Sequence, residues 1–355
     1  MDFGETLADF KKKADREIAK YLDEKIASAK KEDMVSAQAL EYVKKFALAG
    51  GKRIRPALMH YSYLGSGGKE MEKIIKASIG IELIHLFLLI HDDIIDNDSK
   101  RHGMDTINAR YEKIGKRIFF KKDNKHFGNS MGIMIGDMVN ALGNDAIFSS
   151  GFPADLVMKA LSKVQGIVSF TVVGEMKDVY IEYRNKASEK EIMKMYEYKT
   201  AKYTIEGPLH LGAVLGGASD EFCAKLSRYA VPVGIAFQIQ DDILGIFGSE
   251  KKLGKGVGSD IAEGKKTILV VKALEKSSGS DRKKLQSILG DRNLNAEKIN
   301  QFRNIIINTG SLEYAENLAG KLVLEGKEAL EEIKIAPAAK DFLLGMADYM
   351  TSRQI

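Results

Sequence analysis

The chain has 355 residues, 45% of them hydrophobic and 29% charged, with a formal net charge of +5. This length can bury a large core, and this composition excludes a mainly disordered chain. The small positive excess suits an anionic small substrate and gives no argument for a nucleic-acid partner; a single cysteine, Cys223, excludes a disulfide framework and makes a reducing, cytoplasmic setting the expectation.

Apolar residues recur at spacings of three and four almost throughout, with no sustained alternation, so an all-α fold is expected. Met1–Tyr21 mixes acids and bases at helical spacing and lacks the apolar stretch of a signal peptide. Gly51-Lys52-Arg53-Ile54-Arg55-Pro56 crowds three cations before a helix-starting proline, a pattern that can bind an anion or serve as a solvated basic turn. Ile79–His91 and Met131–Ile147 are interrupted by Glu82, His85 and Asp137, and are read as buried core helices and not as transmembrane segments. Breaks are expected at Leu64–Lys69, Ser149–Pro153, Gly216–Asp220, Gly248–Lys266, Ser277–Asp281 and Ile335–Pro337. Each is short and the helical pattern resumes at once, so one domain over residues 1–355 is expected.

The first of these apolar runs ends in Asp92, Asp93 and Asp96. On a helix Asp92 and Asp96 share a face, Asp93 lies about 100° round, and His85 falls two turns before Asp92 on the shared face. Acids at a helix C-terminus oppose the helix dipole, and packing them against an apolar wall adds a desolvation cost, so cations are expected to compensate. Arg101 follows a few residues later and could grip a phosphate held by the same metal ions. Ile107–His126 is basic and is expected to be a surface loop. Lys199 and Thr200 follow the helical run Ile192–Tyr198. A second acidic pair, Asp241 and Asp242, ends another apolar run, with Gln238 one turn earlier. Two such pairs suggest a Mg²⁺ site shared with a phosphorylated substrate. Gly248–Lys266, rich in glycine and lysine, is a candidate lid or a plain connector. Neither a G-x-S-x-G nucleophile motif nor a Walker A string nor a Cys/His metal spacing is present.

Together these strings resemble the trans-prenyltransferases, the polyprenyl diphosphate synthase family, and among them the geranylgeranyl diphosphate synthases of archaeal type. Six blocks stand in the family's order: Gly51–Pro56, Glu82-Leu83-Ile84-His85, His91–Asp96, Gly136-Asp137, Phe237–Leu244 and Gly258–Thr267. The resemblance implies a single-domain antiparallel helical bundle around a deep central cavity, usually a homodimer. It implies that Asp92, Asp93, Asp96, Asp241 and Asp242 hold Mg²⁺, usually three ions, on an allylic prenyl diphosphate. It further implies that Lys199, Lys255 and Lys265 add positive charge, with Thr200 and Gln238 as hydrogen-bonding neighbours. Lys52, Arg55 and His85 resemble the family's grip on isopentenyl diphosphate, and Arg101 the first of its two consecutive diphosphate-binding arginines.

Three departures stand out. Gly245 replaces the frequent third aspartate of the second cluster, His102 replaces the second arginine, and the basic stretch 107–126 looks like a longer surface insertion. Phe87, five residues before Asp92, with Leu88 and Ile84 nearby, resembles the chain-length gauge of synthases that make a C20 product. The reaction so implied is head-to-tail (1′–4) condensation of isopentenyl diphosphate to a C15–C20 all-trans prenyl diphosphate, geranylgeranyl diphosphate foremost. A class I terpene cyclase and a non-catalytic regulatory subunit of a longer-chain synthase are the alternatives. Weak contact of 107–126 with a membrane surface is a further expectation.

Overall fold

The computed structural model describes residues 2–119, 123–184, 186–248 and 258–352. Among these the chain is helical, as expected, apart from one short hairpin in which β1 (Lys100–Arg101) pairs antiparallel with β2 (Met104–Asp105). Its turn residues His102 and Gly103 both have positive φ, 50° and 75°, which is the geometry a two-residue hairpin turn favours. The chain divides into two compact units: Met1–Ser162 with Leu211–Gly217, and Lys163–His210 with Ala218–Ile355.

The first unit is built from α1 (Phe3–Glu32), α2 (Met34–Leu48), α3 (Ile54–Gly65), α4 (Met71–Ile95), α5 (Ile107–Ile118) and α6 (Asn124–Phe148). α1 buries Leu7, Phe10, Ala14, Ile18 and Leu22, a stripe at helical spacing. Asp33 ends α1 and starts α2: its N–H donates to Ala29 O, and its carboxylate accepts from Ser36 N. α4 is buried on almost every side and packs closely on α6. A Cβ built on Gly80 would lie 2.6 Å from Gly143 O, and one on Gly143 would lie 2.9 Å from Gly80 O. Glycine is required at this crossing because the two backbones nearly touch.

The basic stretch expected as a loop is mostly helix. α5 is capped by the Thr106 side chain and buries Ile107, Ala109, Tyr111 and Gly115. Its cations hid a short amphipathic pattern, and several are paired within the protein. Lys113 reaches Asp105 at 2.8 Å, Lys116 reaches Glu112 at 2.6 Å, and Arg110 lies over the Tyr42 ring at 4.0 Å.

The second unit takes in α7 (Ala154–Tyr183) from Lys163 onward, α8 (Glu189–Tyr196), a π-helical stretch (Glu197–Glu206), the first turn of α9 (Gly207–Leu215) and α10 (Asp220–Phe247). Helices Ser259–Glu263, Ile268–Lys276, Gly279–Ile288, Ala296–Asn308, Ser311–Glu331 and Pro337–Ser352 follow. Ser188 and Glu191 form a reciprocal capping box at the start of α8. α10 is the core of this unit: Gly234 meets Ala201 of the π-helical stretch, Val233 meets Gly326, and Tyr229 Oη donates to Leu343 O at 2.7 Å.

Three helices, α4, α7 and α10, are long and apolar enough to cross a membrane, their most apolar windows having mean hydropathies of 1.8, 1.4 and 1.3. Of the two runs read from the sequence as buried core helices, Ile79–His91 lies in α4 and Met131–Ile147 in α6, which is not among these three. The α4 and α10 windows are each 67% buried, whereas that of α7 is 28% buried.

Candidate active site

In the first unit the candidate residues gather around the C-terminal half of α4. A cleft there is lined by Gly50, Gly51, Arg53, Glu82, Leu83, His85, Leu86, Leu89, Arg101 and His102, with Ile18, Phe46 and Ala47 behind. Arg101, delivered by β1, lines this cleft and also grips Asp93. Its Nε donates to Asp93 Oδ1 at 2.7 Å, and its Nη2 lies 2.5 Å from the same oxygen, 3.5 Å from Asp92 and 3.6 Å from Asp98. Asp93 is fully buried and its Oδ2 has no hydrogen-bond partner. Burial pushes its carboxyl up to about 6, although Arg101 opposes the shift. Asp92 and Asp96, on the adjacent face, are half-buried.

The three cations of 51–56 separate. Arg53 caps α3 in the left-handed region (φ 57°) and turns into the core. It donates to Asp15 at 2.6 Å, Glu82 at 2.7 Å and Ala47 O at 2.6 Å. Arg53 is therefore structural. Lys52 is exposed and Arg55 half-buried. His85 faces the cleft; burial, then Arg55, Arg101 and Arg53, hold its pKa well below the ordinary histidine value, so it is neutral. His102 packs on Gly50, where an added Cβ would lie 2.5 Å from the imidazole.

The chain-length candidates take different surroundings on α4. Ile84 is buried against Gly143 of α6, which leaves it the least suited of the three to line an open space. Phe87 is buried and meets His91 edge-on at 4.9 Å, and Leu88 is half-buried.

In the second unit, Asp241 and Asp242 lie in α10, which continues to Phe247 instead of ending at the pair. Asp241 is half-buried and Asp242 is buried. Tyr196 Oη donates to Asp242 Oδ2 and accepts from Ile268 N at 2.9 Å. Gln238 Nε2 donates to Asp242 Oδ1 at 2.8 Å, and Thr200 Oγ1 donates to Gln238 at 2.5 Å. Burial pushes the Asp242 carboxyl up to about 8 against these hydrogen bonds. Both Asp242 oxygens accept hydrogen bonds, which fixes its orientation against Tyr196 and Gln238.

Lys199 is held by Glu175 at 2.8 Å and Asp178 at 2.5 Å. Gly174 makes this possible: a Cβ there would lie 2.3 Å from Lys199 N. Lys265 pairs with Glu263 at 3.0 Å, and Lys266 donates to Glu182 O at 2.7 Å. Lys255 lies outside the described residues, as does the 249–257 part of the candidate lid. Sequence reading missed Tyr196, Glu175 and Asp178. A glycine inside an apolar helix, followed by acids one and four residues later, was the available signal for Glu175 and Asp178.

Among the described residues no three His, Cys, Asp or Glu side chains converge to enclose a cation by themselves. Mg²⁺ takes one or two carboxylates and completes its shell with water and substrate phosphate oxygens. In the first unit, the orphaned oxygen of Asp93, a carboxyl raised by burial, fits a site that expects added positive charge.

The chain is 36% identical over 341 residues to a short chain isoprenyl diphosphate synthase of Methanothermobacter thermautotrophicus, covering 96% of this chain and 97% of that one. It is 35% identical over 309 residues to a geranylgeranyl diphosphate synthase of Saccharolobus solfataricus, covering 86% and 87%. Its fold matches a geranylgeranyl pyrophosphate synthase of Corynebacterium glutamicum, solved with isoprenyl diphosphate and magnesium, with a TM-score of 0.91 at 30% identity over 99% of each chain. The family model for polyprenyl synthetase matches residues 36–306, a span that takes in every motif block from Gly51 to Thr267, and this chain accordingly belongs to the polyprenyl synthetase family.

Proposed function

We propose that the chain joins isopentenyl diphosphate head-to-tail to an allylic prenyl diphosphate, with geranylgeranyl diphosphate as the main product. The observation that carries this reading is Arg101, one cation that both lines a basic cleft and holds the acidic end of α4. Such a cleft suits a second diphosphate beside one bound through metal ions, and a cyclase has no need of it.

Asp92, Asp96 and Asp241 would hold Mg²⁺, proposed as three ions, with Asp93 and Asp242 orienting Arg101 and Gln238 beside them. The bound ions supply Lewis-acid neutralisation of the departing diphosphate. Lys52, Arg55, His85 and Arg101 bind and orient isopentenyl diphosphate. Leu86 and Leu89 on α4 present apolar surface to the cleft and exclude water from it. No side-chain base is required, because the proton released on coupling can pass to an oxygen of the freed diphosphate.

Turnover by the purified chain, with Mg²⁺, labelled isopentenyl diphosphate and C5, C10 or C15 starters, tests the reading. Failure with every starter, or product formation without isopentenyl diphosphate, would overturn it. Asp92→Asn and Asp241→Asn are each expected to lower kcat by about 100-fold or more. Phe87→Ala is expected to lengthen the product, read by chromatography after dephosphorylation; an unchanged length would remove Phe87 as the gauge.

The proposal includes one domain over 1–355, a cytoplasmic setting and a homodimer. The exposed apolar face of α7, with Phe170, Val173, Met176 and Tyr180, supports the dimer. Weak membrane contact through 107–126 is separable: vesicle co-sedimentation that disappears at high salt supports it, and absence of binding at low salt dismisses it.

A further inference from the structure

Two residues of the sequence motifs, His91 and Gly136, have no part in the reaction as proposed, yet they meet where α4 packs on α6. A Cβ built on Gly136 would lie 2.3 Å from His91 Nε2 and 2.5 Å from its Cδ2. Only glycine leaves room for the imidazole there. Through that gap His91 Nε2 donates to Ile133 O at 3.1 Å; a carbonyl only accepts, so Nε2 carries the proton. Asp137 is a looser neighbour, 3.8 Å away and 68% exposed. The same imidazole meets Phe87, one turn earlier on α4, with ring centroids 4.9 Å apart and planes at 77°. That is the edge-to-face geometry aromatic rings prefer, and it joins residues four apart on one helix face. α6 is a firm support for this contact, because its backbone and that of α4 nearly touch at Gly143 and Gly80.

We propose that His91 is a positioning residue for product length: it braces the Phe87 ring against the backbone of α6, and Gly136 is the gap that lets it do so. Phe87 is 7% exposed and lies on the helix that carries the first acidic cluster. A ring held in one rotamer stops a growing prenyl chain at one length, whereas a ring free to turn yields to longer chains. This rests on the proposed reading of Phe87 as the gauge and adds what keeps the gauge rigid.

His91→Ala removes both contacts, and Gly136→Ala pushes the imidazole out of its gap with His91 still present. Each is expected to raise the share of products longer than C20 by about fivefold, the size of one lost aromatic edge contact, with little change in the rate of the first condensation from the C5 starter. His91→Gln keeps a donor at the reach of Nε2 without the ring, and is expected to fall between the parent and His91→Ala. A merely structural His91 would lower Tm in these variants and leave product length alone. Fluorine NMR of protein carrying 4-fluorophenylalanine reads the ring without turnover. The Phe87 resonance, identified by its loss in Phe87→Leu, is expected to move and narrow toward that of the free amino acid in both His91→Ala and Gly136→Ala. Parental product lengths in both variants, or an unmoved Phe87 resonance in both, would overturn the brace. Where His91→Ala does not fold, Gly136→Ala and His91→Gln decide by the same readouts. An unchanged product from Phe87→Ala overturns the gauge reading instead, and an inactive parent the synthase reading; the fluorine spectrum still decides the brace in either case.

Discussion

Two buried charged groups show at the residue scale how much of the cleft is held by electrostatics. Arg53, 4% exposed, spans Asp15 and Glu82 from the left-handed cap of α3. Removing it leaves Glu82 buried without its cation, so Arg53→Ala is expected to destabilise the fold by about 3–5 kcal/mol in urea titration. A loss below about 1 kcal/mol would show that water takes over the role. His60 is buried against Phe10 and its Nδ1 has no hydrogen-bond partner. Burial, helped by Lys13, lowers its pKa from 6.5 to about 4. Between those values the unfolded chain binds a proton that the native state does not. The stabilisation is complete above pH 6.5 and is lost as pH falls through about 4. Tm should fall across this window, and the fall should be shallower in His60→Leu; superimposable profiles would rule His60 out. Residue types at Asp92, Asp93, Asp241 and Asp242 were legible in the sequence, but which member of each pair turns inward was not. That choice depends on Arg101 and Tyr196, which approach from elements distant in sequence.

Elements were legible where apolar residues recurred at helical spacing over a long run, as in α4 and α10, and illegible where charge masked the recurrence, as in α5. The π-helical stretch Glu197–Glu206 left no readable mark, since a register with hydrogen bonds to the fifth residue differs little from an α-helix in its apolar pattern. Its effect on the candidate site is large: Lys199 meets α7 while Thr200 and Ala201 meet α10. Gly174→Ala tests the first of these contacts. The added methyl cannot fit against the Lys199 backbone, so α7 must shift, at a cost of about 1–3 kcal/mol. The KM for the allylic substrate is expected to rise as Lys199 loses its place between Glu175 and Asp178. Parental Tm and KM in Gly174→Ala would show that the two segments separate without consequence.

For the molecule as a whole, the family and the helical class could be read from motif order, whereas the division into two compact units could not, because no linker composition marks it. The surface of α7 bears on assembly. Met176 is 66% exposed and Tyr180 72% exposed on one face. Met176→Lys/Tyr180→Lys is expected to halve the mass measured by light scattering; a parent already monomeric at micromolar concentration would refute the dimer. The apolar length of α4 has a consequence for biosynthesis. α4 leaves the ribosome well before α6, its packing partner, is complete. Roughly fifty residues separate the two ends, so a greasy helix waits uncovered for about 3–10 seconds at ordinary translation speeds. During that interval nothing but nascent-chain handling distinguishes it from a segment bound for insertion into a bilayer.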